Sequence, residues 1–266
     1  MNDNTLSVSV VIPMFNSSAT IERALESVAA QSRPPMEVIV VDDGSSDTGP
    51  LVVEQWNRSN IPVQLIKHAM NLGPSASRNT GWDIATGTFV AFLDADDAWH
   101  PAKLQIQTQL MESDPTIAIS GHQYDIGRDL RWTELAGTDV TMSAFSFRDF
   151  LIKNRLSTPT VMLRRELHLR FARDQRFSED YRLWMEIVCE FGAARFIKLP
   201  LTRLFKSPYG KAGLSGNLRS MYLGELHTYS NLRKKGLIKR SIMIVCMLWS
   251  TVKYLRRNLR MLMAKK

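Results

Sequence analysis

The sequence is short of cysteine, of glycine-rich phosphate motifs and of long apolar runs, and each shortage excludes a class of protein. Its two cysteines, Cys189 and Cys246, each lie in an apolar context, which predicts buried thiols in a reducing compartment and argues against a disulfide framework or a zinc site. Neither Gly-x-Gly-x-x-Gly nor a Gly-Lys-Ser/Thr loop occurs, so a dinucleotide-binding fold and an ATP-binding loop are not indicated. Residues 1–5 lack the basic region and apolar run of a secretory signal, which predicts a cytoplasmic location.

Acidic residues are missing from one end of the chain. Of the 34 Lys and Arg residues, 11 lie in residues 233–266, which contain no Asp or Glu, and residues 1–232 have a net charge of −3. An acidic body argues against a nucleic-acid partner, whereas a basic tail with apolar residues favours an anionic membrane surface. The apolar stretch between Arg240 and Lys253 is twelve residues long, and a bilayer-spanning helix needs about twenty. A helix that packs on the body or on a partner protein is the alternative.

Continuous apolar runs, typical of buried strands, alternate along the chain with segments whose apolar residues recur at helical spacing. This alternation predicts an α/β fold with a mostly parallel sheet and right-handed crossovers. We expect the first strand, residues 6–12, to break at Pro13, and the tail from residue 218 to be helical throughout. Further expected strands are 37–41, 63–66, 89–93, 116–124 and 160–163, with one or two short strands in 195–205. The expected helices are 21–28, 51–56, one that reaches about residue 85, 103–111, 147–154 and 181–188.

Two of the expected strands run into clusters of carboxylates. One ends at Asp42-Asp43, and the other is followed by Asp94, Asp96 and Asp97. Ligands of open α/β sheets bind beyond the carboxyl ends of the strands. Neighbouring carboxylates repel unless a cation balances them, and hard oxygen ligands suit Mg²⁺ or Mn²⁺. The alternative is that Asp94 or Asp97 caps a helix that begins at His100-Pro101.

Five short segments follow one another across residues 8–184. They are Val10-Val11-Ile12-Pro13-Met14-Phe15-Asn16, residues 38–47, Asn71-Leu72-Gly73 with Ser77-Arg78-Asn79, residues 92–97, and Ser178-Glu179-Asp180-Tyr181-Arg182-Leu183-Trp184. In this order they resemble the inverting family 2 glycosyltransferases of the GT-A fold. The resemblance implies a Rossmann-like catalytic domain over residues 1–217. Its nucleotide-binding half would be residues 1–100, its acceptor half and lid loop residues 101–217, and basic amphipathic helices would form residues 218–266.

The resemblance also implies roles for individual residues. Asp180 would be the general base, although the residues alone favour a helix start with two acids. Asp96 would be a direct metal ligand, Asp94 would meet the ribose or the metal, and Asp97 would be structural. The metal would be Mn²⁺ or Mg²⁺. The nucleotide-binding residues would be Pro13, Phe15, Asn16, Asp43, Arg78, Asp94, Lys211 and Arg219.

Some of these nucleotide-binding roles are specific. The ring of Phe15 would lie against the base, and Asp43 would accept a hydrogen bond from N3–H of uracil or thymine. Arg78 would approach the base or the phosphates, and the alternative for it is a helix-surface arginine. The loop of residues 206–218 would form a lid, and Lys206 or Lys211 in it, or Arg219 just after it, would reach the diphosphate when the lid closes.

The implied function is metal-dependent transfer of one sugar from a UDP- or dTDP-sugar to a glycan acceptor in cell-surface polysaccharide synthesis. A lipid-linked acceptor and a peripheral position on the inner face of the cell membrane would explain the basic tail. The Gln-x-x-Arg-Trp motif of processive members is absent from the sequence, which favours a single addition. The alternatives are a sugar-nucleotide nucleotidyltransferase and a catalytically silent sugar-nucleotide-binding or assembly protein.

Overall fold

One nine-stranded sheet flanked by helices organises the chain. The computed structural model describes residues 7–56, 58, 60–132, 134–135, 140–205 and 216–263. The strands are β1 (Val8–Met14), β2 (Glu37–Asp42), β3 (Val63–Lys67), β4 (Phe89–Phe92), β5 (Ala98–Trp99), β6 (Ile119–Ile126), β7 (Met142–Phe145), β8 (Met162–Arg164) and β9 (Ala194–Leu204). The helices are α1 (Ile21–Ala29), α2 (Gly49–Gln55), α3 (Pro74–Ile84), α4 (Lys103–Ser113), α5 (Phe147–Ile152), α6 (Glu179–Phe191), α7 (Leu218–Lys234) and α8 (Arg240–Met263).

The strand order β3-β2-β1-β4-β8-β6-β9-β5 divides the sheet into two halves, and β7 pairs with β9. The pairings within β3-β2-β1-β4 are all parallel, so the carboxyl ends of these strands share one edge. The antiparallel pairings all involve strands beyond β4 in this order. The predicted α/β fold with a mostly parallel sheet and flanking helices is confirmed.

Apolar clusters cover both faces of the sheet because consecutive strand residues point to opposite sides. Val10 and Ile12 of β1 pack in the cluster that includes side chains of α1 and α4, whereas Val11 packs in the cluster of α3 and α6. These side chains are fully buried. Burial on both faces explains why the central strands have continuous apolar runs instead of alternation.

Pro13 lies inside the first strand, so the predicted break at this residue is wrong. It pairs with Val41 of β2, while the pairing of β1 with β4 ends at Val11. Proline lacks the N–H that a second neighbouring strand would require, and at this position β1 no longer has that neighbour on its β4 side. Two further strands, β5 and β7, were not expected from the sequence.

The C-terminal segment is interrupted, which corrects the prediction of one continuous helical tail. α7 ends at Lys234, Gly236 has a left-handed φ of 75°, and α8 starts at Arg240. Glycine adopts this conformation without a steric penalty and commonly ends helices. The cysteine prediction also needs correction, because Cys246 is buried but Cys189 is exposed.

Helix α7 shares the core of the preceding residues. Tyr229 and Leu232 are fully buried in the cluster that also contains Tyr181. The Gln175 side-chain amide donates hydrogen bonds to the Gly224 carbonyl at 3.2 Å and to the Thr228 hydroxyl at 2.9 Å. The division of the chain at residue 217 stays a prediction, and α7 packs directly against the elements before it. In the described part of the chain, no helix has the length and apolar character needed to cross a bilayer.

Gly224 provides a test of this packing. A Cβ at this position would collide with the backbone carbonyl oxygen of Phe177, which cannot rotate away. At an exposed position inside a helix, replacing Gly by Ala stabilises the helix by about 1 kcal/mol. Because overpacking costs about 1–3 kcal/mol, we expect Gly224→Ala to lower the melting temperature by roughly 2–6 °C.

The matched control is Leu223→Ala, since Leu223 is 50% exposed on the same turn. Its melting temperature should change little, as is usual for exposed positions. A higher melting temperature for Gly224→Ala in thermal unfolding followed by circular dichroism would mean that α7 does not pack against Phe177.

Candidate active site

A cavity of about 590 Å³ lies at the shared carboxyl edge of β1, β2 and β4. It is lined by predicted site residues from five separate parts of the chain: Pro13, Phe15, Asp43, Arg78, Asp94, Asp96 and Asp180. The parallel half of the sheet accounts for this convergence, because each strand delivers its following loop to the same edge. The loop before α6 brings Asp180 to the cavity from the other half of the chain.

Two predicted nucleotide-binding residues, Asn16 and Arg219, lie outside the cavity lining. Asn16 is outside the cavity lining, where its side-chain oxygen accepts a hydrogen bond from the Ser46 amide at 2.8 Å and ties the loops after β1 and β2 together. Arg219 is exposed in the first turn of α7 and is also outside the lining. Lys211, like Lys206, lies outside the described residues. The roles of all of these residues stay predictions.

Asp43 is held by three donors at the end of β2. Its Oδ1 accepts hydrogen bonds from His68 Nδ1 at 2.8 Å and from the Leu72 amide at 2.9 Å, and its Oδ2 accepts one from the Gly73 amide at 2.7 Å. His68 was missed by the sequence analysis. It follows β3 directly, and that position next to the end of β2 was the available signal.

Gly44 keeps the turn after Asp43 tight. Its φ is 75°, and a Cβ there would lie 2.9 Å from the Met70 carbonyl carbon and 3.0 Å from the Asn71 amide nitrogen. Only glycine combines this φ with so close a backbone neighbour. The loop that supplies the Leu72 and Gly73 amides can therefore lie directly against the end of β2.

The turn between β4 and β5 carries the three clustered acids. Asp94 and Asp96 line the cavity and are half-buried. Asp97 is buried, and its Oδ1 accepts a hydrogen bond from the Phe205 amide at 3.3 Å. The capping interpretation is wrong, because the following helix begins at Lys103 and Ala102 is its N-cap.

Arg78 joins the two sides of the cavity. One guanidinium nitrogen lies 2.9 Å from Asp94 Oδ1, the other lies 3.0 Å from Glu179 Oε1, and the Arg78 side chain is 7% exposed. Burial acts to lower the pKa of Arg78, but the charges of Asp94 and Glu179 outweigh it and raise that pKa. The alternative of a helix-surface arginine is therefore wrong for this side chain.

Asp180 lies in the first turn of α6. Its Oδ1 accepts a hydrogen bond from the Tyr181 amide at 2.7 Å, and its Oδ2 accepts from Asn154 Nδ2 at 3.3 Å and from Thr158 Oγ1 at 3.4 Å. Burial raises the pKa of Asp180, while these donors and Arg78 act in the opposite direction. A carboxylate that lines a cavity and has a raised pKa is suited to accept a proton from a molecule bound there.

Glu179 is the second residue that the sequence analysis underestimated, because it was considered only as a neighbour of Asp180. Burial and the adjacent Asp180 charge raise its pKa to about 7, against the lowering effect of Arg78. The two carboxyls interact closely, so they titrate as a pair.

The comparison with known families decides the assignment. The model of glycosyl transferase family 2 matches residues 9–171, which is more than half of the chain and contains six of the seven predicted residues in the cavity. The chain belongs to glycosyl transferase family 2.

Two relatives match the sequence of this chain over different lengths. WfgD of Escherichia coli, a UDP-Glc:alpha-D-GlcNAc-diphosphoundecaprenol beta-1,3-glucosyltransferase, is 31% identical over 181 residues, which is 68% of this chain and 69% of WfgD. The amylovoran biosynthesis glycosyltransferase AmsB of Erwinia amylovora is 42% identical over 109 residues, 40% of this chain. The match spans only 36% of AmsB.

Two solved structures share this fold. S. aureus TarS 1-349 in complex with UDP-GlcNAc has a TM-score of 0.69 at 20% identity, covering 96% of this chain and 73% of that one. The mannosyltransferase PcManGT from Pyrobaculum calidifontis, in complex with GDP-Man and Mn²⁺, has a TM-score of 0.67 at 18% identity, covering 97% of this chain and 76% of that one. The predicted GT-A fold of this family 2 member is confirmed.

A divalent metal fits the acidic turn of this family 2 chain, provided that a substrate completes its coordination. Among the described residues, no group of three or more His, Cys, Asp or Glu side chains could hold a metal ion alone. Asp94 and Asp96 offer carboxylate oxygens to the cavity. Mg²⁺ commonly binds through one or two carboxylates together with substrate phosphates, so this donor set matches a metal that arrives with a diphosphate.

The raised pKa of Glu179 predicts a pH dependence of stability. Between its ordinary value of 4.5 and about 7, the folded protein retains a proton that the unfolded chain has released. The free energy of unfolding therefore falls as pH rises through this range. In Glu179→Gln, urea unfolding should show a smaller fall between about pH 5 and about pH 8, by on the order of 1 kcal/mol or more.

Glu166→Gln is the control, because Glu166 is exposed. It should keep the wild-type slope. The raised pKa of Asp180 also lowers the free energy of unfolding as pH rises, in the wild type and in Glu179→Gln. Part of the pH dependence should therefore remain in Glu179→Gln. Identical slopes for Glu179→Gln and the wild type would contradict the raised pKa.

Proposed function

We propose that this chain is an inverting, metal-dependent glycosyltransferase. It transfers a single sugar from a UDP- or dTDP-sugar to a hydroxyl of a lipid-linked glycan acceptor in bacterial cell-surface polysaccharide synthesis. The observation that carries the proposal is the shared cavity of Asp180 and the Asp94–Asp96 turn, with Arg78 bonded to both sides.

The nucleoside would lie at the ends of β1 and β2. Phe15 is 48% exposed at the cavity, an arrangement suited to stacking on a base. A carboxylate oxygen accepts up to about two hydrogen bonds, and Asp43 Oδ2 already receives one from Gly73. A uracil or thymine N3–H would supply the second. TarS in complex with UDP-GlcNAc supports a uridine donor by fold similarity.

Asp94 and Asp96 would hold a Mn²⁺ or Mg²⁺ ion together with the diphosphate. The bound ion supplies positive charge that stabilises the departing nucleoside diphosphate, so the leaving group needs no proton donor. The ion pair with Arg78 fixes Asp94 Oδ1, which orients the acidic turn toward the cavity. The complex of PcManGT with GDP-Man and Mn²⁺ supports this use of the fold.

Asp180 would act on the acceptor. The acceptor hydroxyl oxygen attacks the anomeric carbon, the bond from that carbon to the diphosphate oxygen breaks, and an Asp180 carboxylate oxygen takes the hydroxyl proton. Asn154 and Thr158 hold Oδ2 of Asp180, which fixes the direction of the carboxylate before the acceptor arrives. Attack on the face opposite the leaving group inverts the anomeric configuration. The name of WfgD, which acts on a diphosphoundecaprenol-linked sugar, supports a lipid-linked acceptor.

The test separates donor binding from chemistry. With Mn²⁺ and UDP-sugar, we expect the wild type to gain melting temperature and to transfer sugar. Asp180→Asn should lose about 100-fold or more in kcat but keep the Mn²⁺-dependent stabilisation by UDP. Asp96→Asn should lose that stabilisation, because the metal would lose a ligand. The measurements are thermal unfolding with a panel of UDP-, dTDP- and GDP-sugars, and product formation.

Asp174→Asn is the matched control, since Asp174 is an exposed acid shortly before α6 and outside the cavity lining. It should behave as the wild type in both measurements. UDP binding without turnover by the wild type, across all donors and acceptors tried, would favour the silent sugar-nucleotide-binding protein instead. Wild-type activity in Asp180→Asn would contradict the assigned base.

We also propose that α8 contacts an anionic membrane surface. Val245, Leu248, Val252, Leu255 and Leu259 recur at helical spacing, and each is more than half exposed. The exposed Arg256 and Arg260 lie on the same helix. An apolar stripe beside arginines suits the headgroup region of an anionic bilayer.

Substitution tests this surface better than deletion of residues 236–266. The deletion would also remove Ile238, Cys246 and Ser250, whose side chains are buried against the rest of the protein. The wild type should sediment with vesicles that contain phosphatidylglycerol. The affinity of Leu255→Asp/Leu259→Asp for these vesicles should be lower by at least about tenfold, because two leucines no longer enter the apolar layer. Equal sedimentation of both proteins, or equal binding to purely phosphatidylcholine vesicles, would exclude an anionic membrane contact through α8.

A further inference from the structure

A second cavity, of about 350 Å³, lies between α5 and α8. Leu151 and Ile152 line it from α5, and Ile242, Val245 and Trp249 line it from α8. We call it the α5–α8 groove. Val245 is 64% exposed, Ile152 52% and Trp249 45%, so the groove presents apolar side chains that the described residues do not cover. Concave, largely apolar surfaces of this size are suited to an apolar ligand.

The groove is held in shape by polar contacts at one end. The Ile152 carbonyl accepts a hydrogen bond from Trp249 Nε1 at 3.1 Å and lies 3.5 Å from Lys253 Nζ. Lys253 Nζ also forms an ion pair with Glu225 Oε2 at 2.7 Å, and both side chains are largely buried. These contacts fix α8 against the end of α5, so the opening between the two helices is a built feature of the fold.

This end of the groove lies close along the chain to a residue that contacts the candidate base. Asn154 follows Ile152 by two residues, which span at most about 7 Å of backbone. The Asn154 side chain donates a hydrogen bond to Asp180 Oδ2 at 3.3 Å. On the inner side of α5, the Tyr181 hydroxyl donates to the Phe150 carbonyl, so the helix that lines the groove is bonded to the residue after Asp180.

Cationic side chains lie at the groove. The exposed Arg148 lines it, and the exposed Lys153 follows Ile152, which also lines it. A molecule that is apolar along its length and anionic where it approaches Asp180 would match this order of groups. A diphosphate-linked isoprenoid lipid has that order, with the hydrocarbon first, the diphosphate next and the sugar at the end.

We infer that the α5–α8 groove binds the isoprenoid chain of a diphosphate-linked lipid acceptor and directs its sugar to Asp180. The inference rests on the proposed function, because it assigns a place to the acceptor of that reaction. It differs from the membrane contact of α8, which needs an exposed stripe and not a concave site. Lys153 would meet the diphosphate.

The experiment measures binding of farnesyl diphosphate, a water-soluble isoprenoid diphosphate, to the full chain by isothermal titration calorimetry. The wild type should bind it saturably, and inorganic diphosphate should bind at least about tenfold more weakly because it lacks the apolar chain. Val245→Asp should weaken farnesyl diphosphate binding by about tenfold or more, because it places a charge where the chain would be buried. Since Val245 is exposed, this variant should fold normally.

Leu259→Asp is the matched control, because it makes the same change on the same exposed helix outside the groove. It should bind farnesyl diphosphate as the wild type does. Equal losses in both variants, or no loss in Val245→Asp, would overturn the inference. Vesicle sedimentation without saturable farnesyl diphosphate binding would also overturn it and leave α8 as a membrane-surface helix.

UDP stabilisation in the presence of Mn²⁺, measured on the same samples, separates this inference from the proposed function. It should be unchanged in Val245→Asp and in Leu259→Asp. UDP binding and sugar transfer without farnesyl diphosphate binding would reject the groove alone. Farnesyl diphosphate binding that is lost in Val245→Asp, without any UDP binding, would support the groove and reject the glycosyltransferase proposal.

Discussion

The buried guanidinium of Arg78, between Asp94 and Glu179, is the interaction on which the site depends. An unpaired buried charge costs several kcal/mol, so neither Arg78 nor Glu179 could occupy its position without a partner. Their pairing fixes the distance between the acidic turn after β4 and the first turn of α6. Two regions separated by more than eighty residues are thereby held in one cavity.

A second set of contacts holds the ends of β2 and β3 at the cavity. Asp43 binds the amides of Leu72 and Gly73 and the ring of His68, and His68 Nε2 lies 3.0 Å from Thr80 Oγ1. One carboxylate thus joins the ends of β2 and β3 to the start of α3. The two sets meet in α3, which supplies both Thr80 and Arg78. This helix is the element through which these two sets of contacts share a fixed geometry.

Much of this arrangement could be predicted from the sequence. Carboxylates at the ends of apolar runs could be placed together because parallel strands end at one edge, and Asp43, Asp94 and Asp96 do line one cavity. The family resemblance added Asp180, which the residues alone left open between a base and a helix start. The pairing of Arg78 with Glu179 could not be predicted, because no local pattern specifies which distant acid an arginine will meet.

Other errors have equally physical causes. Pro13 was expected to end a strand, but proline is tolerated where one neighbouring strand has already ended. β5 and β7 are too short for periodicity to reveal them, and each is formed by pairing with β9. The burial of Tyr229 and Leu232 in α7 is a tertiary effect, since a basic, amphipathic segment reads the same whether its apolar face meets a membrane or a core.

The hydrogen bond from the Phe205 amide to Asp97 has a consequence for how the molecule can move. It ties the residue just after β9 to the same turn that carries Asp94 and Asp96. Arg23 adds to this tie, because its guanidinium donates to the Asp96 carbonyl and lies 3.7 Å from the centre of the Phe205 ring. A displacement of the chain at Phe205 would therefore pull on the acidic turn, so the end of β9 and the turn that carries Asp94 and Asp96 are mechanically coupled.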